Sequence, residues 1–211
     1  MPTLRTVLNA IKKDLQHKYK IRENAQKDMR QATSLSKQAI LLTHQKRWKE
    51  AEKLMAEAKE TLMNLRKTSE THPDIIYTGM FSDALQEYSE ANIFFTLVTK
   101  SKFRTPEEIN VPPADYVLGL ADVVGEYRRF ALDELREGNV KKAESCLRLM
   151  DEIYVELMAL DESYMLVHGL RRKNDVGRKI IEATRGDVTQ EIRRSMLEKQ
   201  LKQLEKRIAE K

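Results

Sequence analysis

Two acidic stretches hold the side chains best suited to chemistry. One is Gln86-Glu87-Tyr88-Ser89-Glu90-Ala91; the other is Asp115-Tyr116-Val117-Leu118-Gly119-Leu120-Ala121-Asp122-Val123-Val124-Gly125-Glu126. Both lie in helically patterned sequence. Glu87 and Glu90 are three residues apart and Asp122 and Glu126 four apart, so each pair shares one helix face. Ala84, Ala91, Phe94 and Val98 continue the row through Glu87 with apolar groups. Acids within a core-facing row are costly unless basic side chains, water or a metal ion offset them. If the two helices pack antiparallel, the four carboxylates converge. Without a cation their repulsion would raise some of their pKa values. With one they make a hard oxygen cage suited to Mg²⁺ or Mn²⁺. Such a cage can hold a phosphodiester, activate water and stabilise a leaving oxygen. Acid pairs at these spacings also occur on ordinary helices, neutralised by neighbours such as Arg128 and Arg129. Spacing alone leaves a metal-dependent nuclease and a plain ion-paired face both open.

The elements that must position these residues are helices throughout. Leu4, Val7, Leu8, Ile11 and Leu15 begin an apolar stripe that Ile21, Ala25, Met29, Ala32, Leu35, Ala39 and Leu42 continue. No Gly or Pro interrupts it, which predicts one long helix over 4–44. Such a helix serves as a spine or pairs with other chains. A second amphipathic helix follows over 48–67 and folds back on the end of the first. The third, over 75–100, carries Glu87 and Glu90 and ends in the apolar run Ile93 to Val98. A proline-marked loop holds one turn at Thr105-Pro106-Glu107-Glu108. The fourth helix, 113–137, carries Asp122 and Glu126, and its Gly119 and Gly125 suit close packing beside the acids. The fifth spans 140–160. Asp161-Glu162-Ser163 opens a sixth over 164–185, Gly186-Asp187 breaks it, and a seventh covers 189–211 with a heptad-like seam fit to dock on another subunit. No strand alternation appears. The expectation is an all-α, seven-helix bundle in a single domain over 1–211.

Low glycine and proline (7 and 5 residues) and 34% charged residues fit this class. No apolar run approaches the length of a membrane span, and Met-Pro-Thr-Leu-Arg leads into no secretory core. The single Cys146 excludes an internal disulfide and a multi-cysteine zinc site. A cytoplasmic location is the expectation. Residues 1–47 hold 11 Lys and Arg against 3 Asp and Glu, a balance of +8; the rest is 27 basic against 30 acidic, −3. A basic excess so concentrated points to an anionic partner, nucleic acid first, or to a solvated helix face. Lys20, Arg22, Lys27 and Arg30 are the candidate phosphate contacts. Glycine-rich phosphate loops, a nucleophile elbow and Glu-x-x-His iron sites are all missing from the sequence.

The motifs, taken together and in order, resemble the translin/Trax family over nearly the whole chain. They are Arg22-Glu23 through Ile40-Leu41-Leu42-Thr43-His44, Leu85 through Ala91, Asp115 through Glu126, Arg171-Arg172-Lys173-Asn174-Asp175, and Glu182-Ala183-Thr184-Arg185-Gly186-Asp187. The last looks like the single-chain archaeal branch. The resemblance implies a seven-helix subunit that assembles into hollow octamers binding single-stranded nucleic acid or enclosing short RNA. In that family Trax is a Mg²⁺-dependent endoribonuclease, and translin lacks the full acidic set. Glu87, Glu90 and Asp122 match Trax catalytic carboxylates, and Glu126 matches a fourth acidic position. The loop between Lys102 and Val111 is shorter than in eukaryotic Trax. If no translin partner exists, one chain supplies both shell and chemistry, which implies a homo-octamer acting on RNA, with single-stranded DNA as a further ligand. The expected activity is metal-dependent cleavage of RNA using Mg²⁺ or Mn²⁺. The alternatives are a translin-like nucleic-acid-binding shell without turnover, and a helical scaffold with no nucleic-acid role.

Overall fold

The computed structural model describes residues 2–210, with every side chain among them except those of Asp161 and Ser163. The expected Lys211 end of the last helix therefore lies outside the described residues, as do the side chains of Asp161 and Ser163 in the expected start of the sixth. Among the described residues there are helices and no strands. None is long and apolar enough to cross a membrane. The helices are α1 (Leu4–His44), α2 (Trp48–Ser69), α3 (Pro73–Ile76), α4 (Gly79–Lys100), α5 (Pro106–Ile109), α6 (Pro113–Arg136), α7 (Val140–Met158) and α8 (Leu170–Ala209), with a 3-10 turn at Asp161–Met165. The chain divides into two compact units, Met1–Gly119 and Leu120–Lys211, and α6 runs from one into the other.

In the first unit α1 packs along α2 and α4. Its buried face begins only at Ala25 and continues through Met29, Ala32, Ser36, Ala39 and Ile40. Ala58, Leu62 and Leu65 of α2 and Phe81, Ala84, Leu85 and Tyr88 of α4 complete this core with Ile76, Ile109 and Val111. Removing a side chain of leucine or phenylalanine size from water is worth about 1.5–3 kcal/mol, so this face fixes the three helices. The stripe before Ala25 is different: Leu4, Val7, Leu8, Ile11 and Leu15 remain 42–74% exposed.

The expected helix over 75–100 is two helices. Pro73 starts a short turn closed by Tyr77 N–H on the Pro73 carbonyl at 2.9 Å. Thr78 is then extended, and α4 starts afresh at Gly79. The turn after Thr105 is present as α5, with a capping box: Thr105 accepts from Glu108 N–H at 3.3 Å, and the Glu108 carboxylate accepts from Thr105 N–H at 3.1 Å.

In the second unit α7 packs on α8. Two expectations fail here. The sixth helix begins at Leu170 rather than 164, because Gly169 turns the chain at φ +91°. The break at Gly186-Asp187 is absent, and the expected sixth and seventh helices are one 40-residue helix. A lone helical glycine costs only about 1 kcal/mol. Thr184 and Val188 on either side are 0% and 1% exposed. Arg128 reaches across from α6 to bond Thr184 Oγ1 at 2.9 Å and Asp187 at 3.0 Å. That packing outweighs the glycine.

Candidate active site

Glu87 and Glu90 lie on α4 in the first unit. From Tyr88 to Leu97 every residue of α4 is buried, and Glu90 itself is 8% exposed. Glu87, one turn earlier, is half-buried and pairs with Lys37 of α1 at 3.2 Å. Asp122 and Glu126 lie on α6 in the second unit. Asp122 pairs with Lys173 of α8, and both side chains are about a third exposed.

The two glycines of α6 have different surroundings. A Cβ on Gly119 would meet the Gln86 carbonyl oxygen at 2.7 Å, Ser89 Cβ at 2.7 Å and Glu90 N at 3.0 Å. Gly119 therefore lets α6 approach the turn of α4 that carries both acids. A Cβ on Gly125 would meet nothing within 4 Å, so close packing is confined to Gly119. The same helix pair is latched by Ser82, whose hydroxyl donates to Asp115. Burial pushes the Asp115 carboxyl above its ordinary range, while Ser82 and Gln86 pull it back down.

Arg128 and Arg129 are the neutralising partners expected from their closeness in sequence. Glu87 and Asp122 each pair with a lysine from another helix, while Arg128 bonds Asp187. Lys173 sits in the Arg171-Arg172-Lys173-Asn174-Asp175 motif, which singled it out without showing its partner. Lys37 carried no such mark.

Among the described residues no group of three or more His, Cys, Asp and Glu is arranged as a ready cation cage. The donor chemistry nonetheless fits a hard divalent ion. All four candidates are carboxylates, and Glu90 is largely desolvated.

Lys20, Arg22, Lys27 and Arg30 are all exposed on α1. Lys13, Lys20 and Lys27 recur every seven residues, two turns each, with Arg30 one turn beyond. These four share one side of the helix. Arg22, two residues after Lys20, points to the other side and lines a depression with Asp74.

The Translin family model matches residues 20–184. An uncharacterised protein of Methanocaldococcus jannaschii is 34% identical over 136 residues, covering 64% of this chain and 60% of that relative's length, so the match spans less than two thirds of the relative. The crystal structure of AfC3PO has a TM-score of 0.77 at 36% identity, covering 87% of this chain and 96% of that one. The structure of an AfC3PO–duplex RNA complex is equally similar, with TM-score 0.77 and 36% identity, covering 87% and 95%.

Proposed function

The chain belongs to the Translin family, and from that premise we propose that it is an RNA-binding, metal-dependent endoribonuclease working as a hollow homo-oligomer. The observation that carries the catalytic part is Glu90: a carboxylate buried in α4 beside the close approach of α6 at Gly119. Taking a carboxylate out of water costs free energy that even a paired group recovers only in part, which suggests a role beyond stability. The RNA part is supported by the likeness to AfC3PO, a protein solved with duplex RNA, and by the exposed basic row on α1. Short RNA, single-stranded or duplex, is the proposed substrate, and single-stranded DNA is a secondary ligand.

Glu87, Glu90 and Asp122 would hold a Mg²⁺ or Mn²⁺ ion, with Glu126 completing the shell or orienting water. When bound, such an ion supplies charge neutralisation at the phosphodiester and lowers the pKa of water. The chain's own residues do the rest. Lys37 and Lys173 pair with Glu87 and Asp122 and orient them. Lys20, Lys27 and Arg30 bind backbone phosphates from the solvent-facing side of α1, independently of sequence.

A second reading is a binding shell without turnover, with the acids serving structural ion pairs. The lysines on Glu87 and Asp122 favour it. Glu90→Ala separates the two. The catalytic reading expects cleavage of a labelled RNA to vanish while binding in a gel-shift assay persists. Loss of both together would make Glu90 a structural residue and sink the catalytic reading.

A further inference from the structure

On the side of α4 away from Glu87 and Glu90, a cleft of about 270 Å³ opens between α2, α4 and the segment after α4. All of it lies in the first unit. Its floor is polar yet buried: Asn92 is 1% exposed and Tyr88 3%. The Asn92 amide donates to the Tyr88 carbonyl at 2.8 Å, which turns its oxygen toward Arg104. Arg104 donates to that oxygen at 2.8 Å, and its own carbonyl accepts from the Tyr116 hydroxyl at 2.5 Å. A guanidinium carries five N–H donors, so an arginine anchored through one side-chain bond and its backbone carbonyl still has donors to offer. Lys59 of α2 and Lys100 of α4 line the same cleft and are exposed.

We propose that this cleft binds a phosphate monoester, the phosphate of a nucleoside monophosphate or of an RNA strand end. Three cations face one carboxylate, Glu52, an excess of two charges. A monoester carries nearly two negative charges at neutral pH, whereas a phosphodiester inside a strand carries one. A positioned arginine beside flexible lysines is the usual donor set for such a group. The volume falls just below the roughly 300 Å³ at which drug-sized pockets begin, so it admits a phosphate and its sugar rather than a folded strand. The competing explanation is that these cations merely balance the C-terminal end of the α4 dipole.

The cleft carries its own reporter. Trp48, the sole tryptophan, stands edge-on to Phe95 at 6.3 Å, and Phe95 lines the cleft. The test titrates full-length protein, in EDTA so that the acidic residues play no part, with inorganic phosphate, adenosine, AMP, and a short oligoribonucleotide with and without a 5′-phosphate. Trp48 fluorescence and calorimetry are read together. Binding of AMP but not adenosine, weakened about tenfold or more by Arg104→Gln and also by Lys59→Gln, supports the site. Lys59 is exposed, so its variant keeps the test sound if Arg104→Gln fails to fold. A gain confined to the 5′-phosphorylated strand identifies an RNA end, and equal binding of AMP identifies a free nucleotide. If neither phosphate, AMP nor the 5′-phosphate improves on adenosine and the 5′-hydroxyl strand, or if both variants bind as the parent does, the cleft is not a phosphate site. The AMP arm does not require RNA binding, so failure of the proposed nuclease function would leave it standing.

Discussion

At Asp115 the free energy of burial and the chemistry of hydrogen bonding oppose one another. Burial raises its pKa and the Ser82 and Gln86 bonds lower it, with burial the larger cause. An acid whose folded-state pKa lies above its unfolded value favours folding when protonated. That contribution is present at low pH and is lost as pH rises through the folded pKa. Asp115→Asn should therefore raise the melting temperature at pH 7 relative to the parent, with a smaller gain near pH 3; thermal melts at both values check this, and a lower melting temperature at pH 7 would refute it. Cys146 gives a second prediction. Burial, then the nearby Glu134, push its thiol up to about 11. It should resist alkylation at pH 7.5 until the protein is unfolded, since the thiolate is the reactive form; rapid labelling of the native protein would contradict the assignment. The acids were legible from their spacing, but their partners were not. Lys37 and Lys173 are fifty residues or so along the chain from Glu87 and Asp122, and only packing brings them together.

Helix α6 offers a comparison between its own two glycines. Alanine is preferred over glycine in a helix by about 1 kcal/mol. At Gly125, where a Cβ has open space, Gly125→Ala should be stabilising by up to about that amount. At Gly119 the Cβ would overlap backbone and Cβ atoms of α4 at 2.7 Å, and overpacking of this kind costs about 1–3 kcal/mol. Gly119→Ala should destabilise, and chemical denaturation of the two variants should give shifts of opposite sign. From sequence the two positions looked alike, since what distinguishes them is the neighbouring helix. The same limit explains α8. Gly186-Asp187 is a fair local stop signal, overruled by Arg128, a residue almost sixty positions earlier. Helix identity, by contrast, was readable for α1, α2 and α7, because their apolar stripes follow the helical period in the sequence itself.

Over the whole molecule, two features remain unspent within one chain. The first is the pair of exposed apolar stripes, Leu4 to Leu15 on α1 and Met196 to Ile208 on α8, the latter 50–66% exposed at Met196, Leu197, Leu201, Leu204 and Ile208. Their heptad-like spacing supports the proposed assembly of subunits. Leu197→Ser with Leu201→Ser should reduce the assembled mass seen by light scattering, and an unchanged mass would remove that stripe from the interface. The second is the basic first helix. Lys20→Gln with Lys27→Gln should weaken RNA binding for all sequences alike and reduce the slope of log affinity against log salt by about one to two. Arg22→Gln, on the other side of α1, should change it less. The central claim, that the carboxylates of α4 and α6 perform metal-dependent RNA cleavage, is tested most directly by incubating a labelled short RNA with the purified protein in Mg²⁺ and in EDTA, beside a Glu87→Gln/Glu90→Gln variant. The account predicts cleavage by the parent in Mg²⁺ alone, with the variant binding RNA and leaving it intact. Binding without cleavage by the parent in both Mg²⁺ and Mn²⁺, or equal cleavage by the variant, would contradict it.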